Sequence, residues 1–134
     1  MESSVLKKNE AMKKIIYTLF VMLGLSSISF AQEANEIATT TSKTELANSK
    51  RDGVYQFTFV GQTTAGIEKS AKYYENYFSI DFDESSNVAT ITMKVNEAKS
   101  RTVITRFLIA AGAHYVKVGG EMMSTNEFMI DYLK

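Results

Sequence analysis

With one histidine and no cysteine among 134 residues, this chain has few side chains from which to assemble metal or nucleophilic chemistry. Its single imidazole is His114. The turn after Asp81 carries Asp83 and Glu84, and an imidazole with carboxylates is an acceptable ligand set for Zn(II), Ni(II) or Cu(II). Met122 and Met123, with Met129 further on, offer thioethers to Cu(I); Met is also a common filler of apolar cores. No serine stands beside a base in sequence and there is no thiol, so the chain shows no nucleophile–base pair and reads as a non-enzyme.

Positioning these groups falls to a short folded region. Met12-Lys13-Lys14 precedes an apolar run from Ile15 to Leu25, and Ser29-Phe30-Ala31 places small residues where a signal peptidase reads. The pattern predicts a signal peptide over 1–31, cleavage before Gln32, and a periplasmic or extracellular product. Residues 1–11 fit that pattern poorly, which makes Met12 a candidate initiator. The apolar run is too short to span a bilayer.

Residues 1–31 hold four of the 15 basic and two of the 15 acidic side chains, so the remainder has 11 against 13, a net charge of −2. That balance gives no reason to expect nucleic acid or an anionic membrane as partner. Residues 32–51, rich in Ala, Thr, Ser, Asn, Glu and Lys without an apolar period, read as a flexible linker to a domain over 52–134.

From Gly53 the periodicity is clear. Tyr55, Phe57 and Phe59 alternate with polar residues as in a half-buried strand. Thr63 or Thr64 is a helix N-cap, and Ile67, Ala71, Tyr74 and Phe78 follow at helical spacing. Two period-two runs flank the polar turn Asp83–Asn87 and make a hairpin. Asn96 opens a second helix with Val103, Ile104, Phe107, Leu108 and Ala111 on one face and Gly112 after its last turn, and His114–Val118 is a fourth strand. Ser124-Thr125-Asn126-Glu127 is a capping box that predicts a short C-terminal helix; a fifth strand through Glu121-Met122-Met123, pairing back on Val116–Val118, competes with it.

The order β-α-β-β-α-β is that of an α+β, ferredoxin-like plait: a four-stranded antiparallel sheet with two helices on one face. Tyr55, Phe57, Phe59, Ile80, Phe82, Ala89, Ile91, Met93, Val116 and Val118 form its inner face. Each contributes about 1.5–3 kcal/mol when fully buried, enough for a core without metal or crosslink. The outer face shows Gln56, Thr58, Thr90 and Thr92 where RNA-binding plaits carry aromatics, which argues against nucleic acid. In a plait Thr63, Thr64, Asp83, Glu84 and His114 share one end of the sheet. Tyr73 and Tyr77, one helical turn apart at the margin of the buried stripe, are candidates for an interaction patch.

The loop Gly61-Gln62-Thr63-Thr64-Ala65-Gly66-Ile67 resembles the metal-binding loop of heavy-metal-associated (HMA) domains, the copper-chaperone-like family, which reads G-M-T-C-x-x-C at the junction of first strand and first helix. The resemblance runs from about Val54 to Val118 and includes the hairpin and the Ala110-Ala111-Gly112 helix ending. It implies the plait fold. It also implies a degenerate member, since Thr64 and Ile67 stand where that family's two thiolates hold Cu(I) or Zn(II). A hard neutral hydroxyl and a hydrocarbon do not replace them, so the resemblance suggests a binding or interaction module without a cofactor. The alternative is a divergent copper or zinc carrier using His114 with Asp83 and Glu84, or Met122 with Met123.

Overall fold

A computed structural model describes residues 36–134, which lie within one compact unit, Ala34–Lys134. The expected leader over 1–31, and residues 32–35 of the expected linker, lie outside the described residues. The unit is α+β. Its sheet has six strands in the order β3-β4-β2-β1-β5-β6 and is mixed, not the four-stranded antiparallel sheet expected.

The first difference comes from the segment read as a linker. Ile37–Thr40 is a strand (β1) and Lys43–Asp52 a helix (α1). β1 lies between β2 (Val54–Phe59) and β5 (Tyr115–Val118), antiparallel to the former and parallel to the latter, with Ala38 opposite both Phe59 and Val116. Ala38 and Leu46 are completely buried. Only two inward side chains anchor the segment, so it lacks the apolar period that marks a strand or helix in sequence. Ser42 caps α1 by accepting from the Glu45 amide, and Gly53 ends it at φ +75. A side chain at Gly53 would be strained by that φ, and its Cβ would meet Asn96 Cγ at 3.1 Å.

From β2 onward the predicted elements are present. α2 (Thr64–Ala71) runs into a 3₁₀ turn at Lys72–Tyr74, and β3 (Phe78–Asp83) and β4 (Val88–Met93) form the hairpin. Next come α3 (Ala98–Arg101), α4 (Val103–Ala110) and β5. Gly112, at φ +92, stops the second of these helices as expected. Asn96 does not open a helix. It donates to the Lys50 and Arg51 carbonyls at 2.8 and 3.1 Å, closing the end of α1, and accepts from Arg101 Nη1 at 3.0 Å.

At the C-terminus the two competing readings occur in succession. Glu121–Ser124 is a strand (β6) paired with β5 through Val116–Met123 and Lys117–Met122, and the capping box at Ser124 and Glu127 then opens α5 (Thr125–Phe128). A wider π turn, Met129–Leu133, brings Leu133 back inward, so Phe128 and Leu133 are both buried.

One core lies between the inner sheet face and the helices. The ten strand residues assigned to that face are buried, except Ile80, which is half-buried on the edge strand. Phe59 and Phe78 meet Phe107 edge-on, at centroid separations of 6.0 and 5.7 Å, which ties the helix layer to two separate strands. If α1 is an integral part of this core, Leu46→Ala should cost about 2–4 kcal/mol in urea unfolding. A loss near zero would return the segment to the status of a linker.

Candidate functional site

The loop between β2 and α2 is fastened on both sides. Thr63, in extended backbone, is the N-cap, and its hydroxyl accepts from the Gly66 amide at 3.0 Å. Gln62 Nε2 donates to the Ala111 carbonyl at 2.8 Å, and the Ser70 hydroxyl lies within bonding distance of the Gly66 and Ala110 carbonyls. These bonds join the loop to the end of α4. On the other flank, the Thr64 amide donates to Glu84 Oε1 at 2.6 Å.

That last contact sets the electrostatics of the loop. The first turn of a helix presents unpaired N–H groups and the positive end of the dipole, which favour an anion. Glu84, reaching over from the β3–β4 turn, supplies one. Its carboxyl is held below the ordinary glutamate value, chiefly by the Thr64 backbone hydrogen bond and then by the Thr64 side chain. Asp83 is also lowered, by the Ser85 hydroxyl first and the Ser85 amide second.

Thr64 and Ile67, the two positions equivalent to thiols in the resemblance, sit in the first turn of α2 as expected. Their side chains have different surroundings. Ile67 is fully buried in the core, whereas Thr64 is partly exposed beside Glu84. The pair therefore presents no common face to solvent.

The alternative metal ligands are not brought together. His114 is at the same end of the sheet as Asp83 and Glu84, but the insertion of β1 puts four strand spacings between β5 and β3, or about 19 Å. Among the described residues no group of three His, Asp or Glu side chains is placed to hold a metal ion. Met122 and Met123, being neighbours on a strand, point to opposite faces: Met122 is 55% exposed and Met123 only 9%. Met129 is partly buried against the core.

Tyr73 and Tyr77 do not lie one helical turn apart, because α2 ends at Ala71 and the 3₁₀ turn ends at Tyr74. Tyr73 stands 85% exposed, and Tyr77, whose carbonyl accepts from the Lys94 amide, is 43% exposed. Tyr73 is more open than a place at the margin of the buried stripe implies.

Two residues that matter were not singled out from sequence in these roles. Glu84 was read only as a turn carboxylate and candidate ligand. Arg101 is buried, with Nε donating to the Leu133 carbonyl at 2.9 Å and Nη1 to Asn96. The signal for it was available, since Arg101 precedes Ile104 and Leu108 by three and seven residues on their core-facing stripe. Nearby Tyr55 has a buried hydroxyl that finds no hydrogen-bond partner among the described residues; burial pushes its pKa up to about 12, and the Arg101 charge opposes that rise.

Among family models, curated proteins and solved structures, none matches this chain.

A depressed folded-state pKa means that Glu84 stabilises the fold above its unfolded value and that this contribution is lost as pH falls through the lower, folded value. Carbon-detected titration should therefore show the Glu84 carboxyl with a midpoint below that of a free glutamate, and the Thr64 amide shift should follow the same curve. A Glu84 midpoint at or above the free value would mean that the carboxylate does not cap α2.

Proposed function

We propose that the chain is an exported, non-catalytic binding or interaction module, built on a ferredoxin-like plait that resembles an HMA domain without its thiolate site. On this reading β2, β3, β4 and β5 are the four strands of the plait, with β1 inserted between β2 and β5 and β6 added at one edge. The leader pattern through Ala31 supports export.

The observation that carries the reading is the β2–α2 loop. Its first helical amide is taken by the Glu84 carboxylate, and the second sulfur position is filled by a core isoleucine. A carboxylate next to backbone donors and a buried hydrocarbon form a structural joint, not a soft-ion site. An apolar core built from all six strands and the helices supports a fold that needs no ion. A surface for partners is left by the solvent-facing aromatics, Tyr73 foremost, whose ring is apolar while its hydroxyl stays hydrated.

The rival reading, a copper or zinc carrier, draws no support from the placement of His114, Asp83, Glu84, Met122 and Met123. Calorimetric titration with Cu(I), Cu(II) and Zn(II) should show no sub-micromolar binding, and a chelator should leave the melting temperature unchanged. Tight binding that disappears in His114→Ala or in Met122→Leu with Met123→Leu would replace the module by the carrier. In a pull-down from the exported fraction, Tyr73→Ala with Tyr77→Ala should lose captured partners while keeping the wild-type melting temperature. Equal capture by wild type and variant would remove the tyrosines from the interaction surface.

A further inference from the structure

The two edges of the sheet are protected very differently. β6 has four residues; its Ser124 amide is already bonded to the Glu127 carboxylate at 3.0 Å, and its Glu121 pairs with Lys43 at 3.3 Å. β3 has six residues. Along an antiparallel strand each residue turns its own N–H and C=O to the same side, and successive residues alternate. Because the Lys94 amide donates to the Tyr77 carbonyl, residues 77, 79, 81 and 83 face β4. The N–H and C=O groups of Phe78, Ile80 and Phe82 therefore point outward, and no loop or side chain of the described residues takes them up. An edge of that length with no Pro or Lys on it is a template for another strand.

We propose that a second copy of this chain is that strand: two copies pair along β3, antiparallel, about a two-fold axis at Ile80. In this register the outward groups of Phe78, Ile80 and Phe82 bond those of Phe82, Ile80 and Phe78 in the second copy, six hydrogen bonds across one isologous contact. Charge selects the register. Centred on Ile80, Asp81 faces Ser79 and Asp83 faces Tyr77; shifted to Asp81, the two Asp81 carboxylates would oppose each other, which is destabilising.

Charge also selects the direction. Lys72 and Lys94, balanced by Glu68 and Glu75, line the groove beside Phe78 at one end of the strand, and Asp81, Asp83 and Glu84 lie at the other, so an antiparallel copy keeps the two acidic ends apart, whereas a parallel one would bring them together. The groove, about 190 Å³ between α2 and β3, has Ala71, Phe78 and Ile80 in its wall and Glu68 and Glu75 on its helix side. It leaves Ile80 half-exposed on the core face, and the second copy's Ile80 covers it. This inference goes beyond the function proposed above and does not depend on it: Tyr77 borders both surfaces, but the Ser79 substitutions used below leave Tyr73, Tyr77 and the loop unchanged.

Sedimentation equilibrium of the full chain, run beside the compact unit 34–134, should show a reversible dimer in both. Ser79 is exposed, so its variants should keep the wild-type melting temperature. Ser79→Asp should weaken the dimer about tenfold by opposing Asp81, and Ser79→Lys should tighten it by about threefold. Because the chain has no cysteine, Ser79→Cys combined with Asp81→Cys should give a disulfide-linked dimer on oxidation, since directly opposed residues there have Cα atoms about 4.5 Å apart. Each single cysteine should crosslink poorly. A chain that stays monomeric at about 500 µM overturns the proposal. So does association found only in the full chain, a dimer indifferent to both Ser79 substitutions, or efficient crosslinking by Asp81→Cys alone.

Discussion

A four-residue strand in the middle of the sheet is the constraint on which the remaining architecture depends. β1 satisfies the backbone of β2 on one side and of β5 on the other, at a depth where unpaired N–H and C=O groups are costly. Its inward residue, Ala38, is small and completely buried opposite Phe59 and Val116. A larger side chain there would have to displace a packed neighbour. By separating β5 from β2, the strand also makes the sheet mixed, widens it beyond four strands, and moves His114 away from the hairpin turn. Together with the edge strand β6, this insertion accounts for the departure from the expected four-stranded sheet, and it lengthens the separation of His114 from Asp83 and Glu84.

The insertion brings α1 with it, and α1 is held by a polar network that reaches the opposite end of the chain. Asn96 closes the carbonyl end of α1 and orients Arg101, and Arg101 in turn binds the Leu133 carbonyl. No carboxylate of the described residues pairs with that guanidinium. Two of its five N–H donors are instead met by a carbonyl and an amide oxygen, from the C-terminal turn and from Asn96. A buried cation held in this way is intolerant of losing a partner, because the desolvated N–H left behind has nothing to replace it. The network therefore fixes where α1, α3 and the C-terminal turn stand relative to one another, whereas the apolar core below them is less selective about position.

Whatever repeats at period two or 3.6 was legible in the sequence. Tyr55, Phe57 and Phe59, the hairpin and the capping box at Ser124 are features in which several residues agree, and each is found where expected; of the helical stripe Ile67, Ala71, Tyr74 and Phe78, the first two lie in α2, Tyr74 in the 3₁₀ turn and Phe78 at the start of β3. β1 and α1 were not legible because one alanine and one leucine carry their burial, and two points define no period. The two C-terminal readings competed only because each was taken to exclude the other; four residues of strand leave room for the cap that follows. At the loop, position was readable and surroundings were not. Thr64 and Ile67 stand in the first helical turn as their spacing implies, but that Glu84 would reach Thr64 depends on the turn geometry at Asp83–Asn87, where Asn87 takes a left-handed φ of 60.

The Glu84 contact also bears on whether a loop of this shape could hold a soft ion. A loop that presents two thiolates to a cation must keep the negative groups of neighbouring turns from taking up its backbone donors, or the helix N-terminus is satisfied without the ion. Here the opposite arrangement holds, with a carboxylate bonded directly to the first amide of α2, the Thr63 hydroxyl accepting from the Gly66 amide, and Gln62 donating to the Ala111 carbonyl. Once that bond is in place, a sulfur at position 64 would lie next to a negative charge, which raises a thiol pKa and disfavours the thiolate that binds metal. Placing cysteine at both positions would thus not by itself create a soft-ion site, because Ile67 points into the core and Glu84 opposes ionisation at its neighbour. The chemistry of the loop is set by the turn across from it as much as by its own residues.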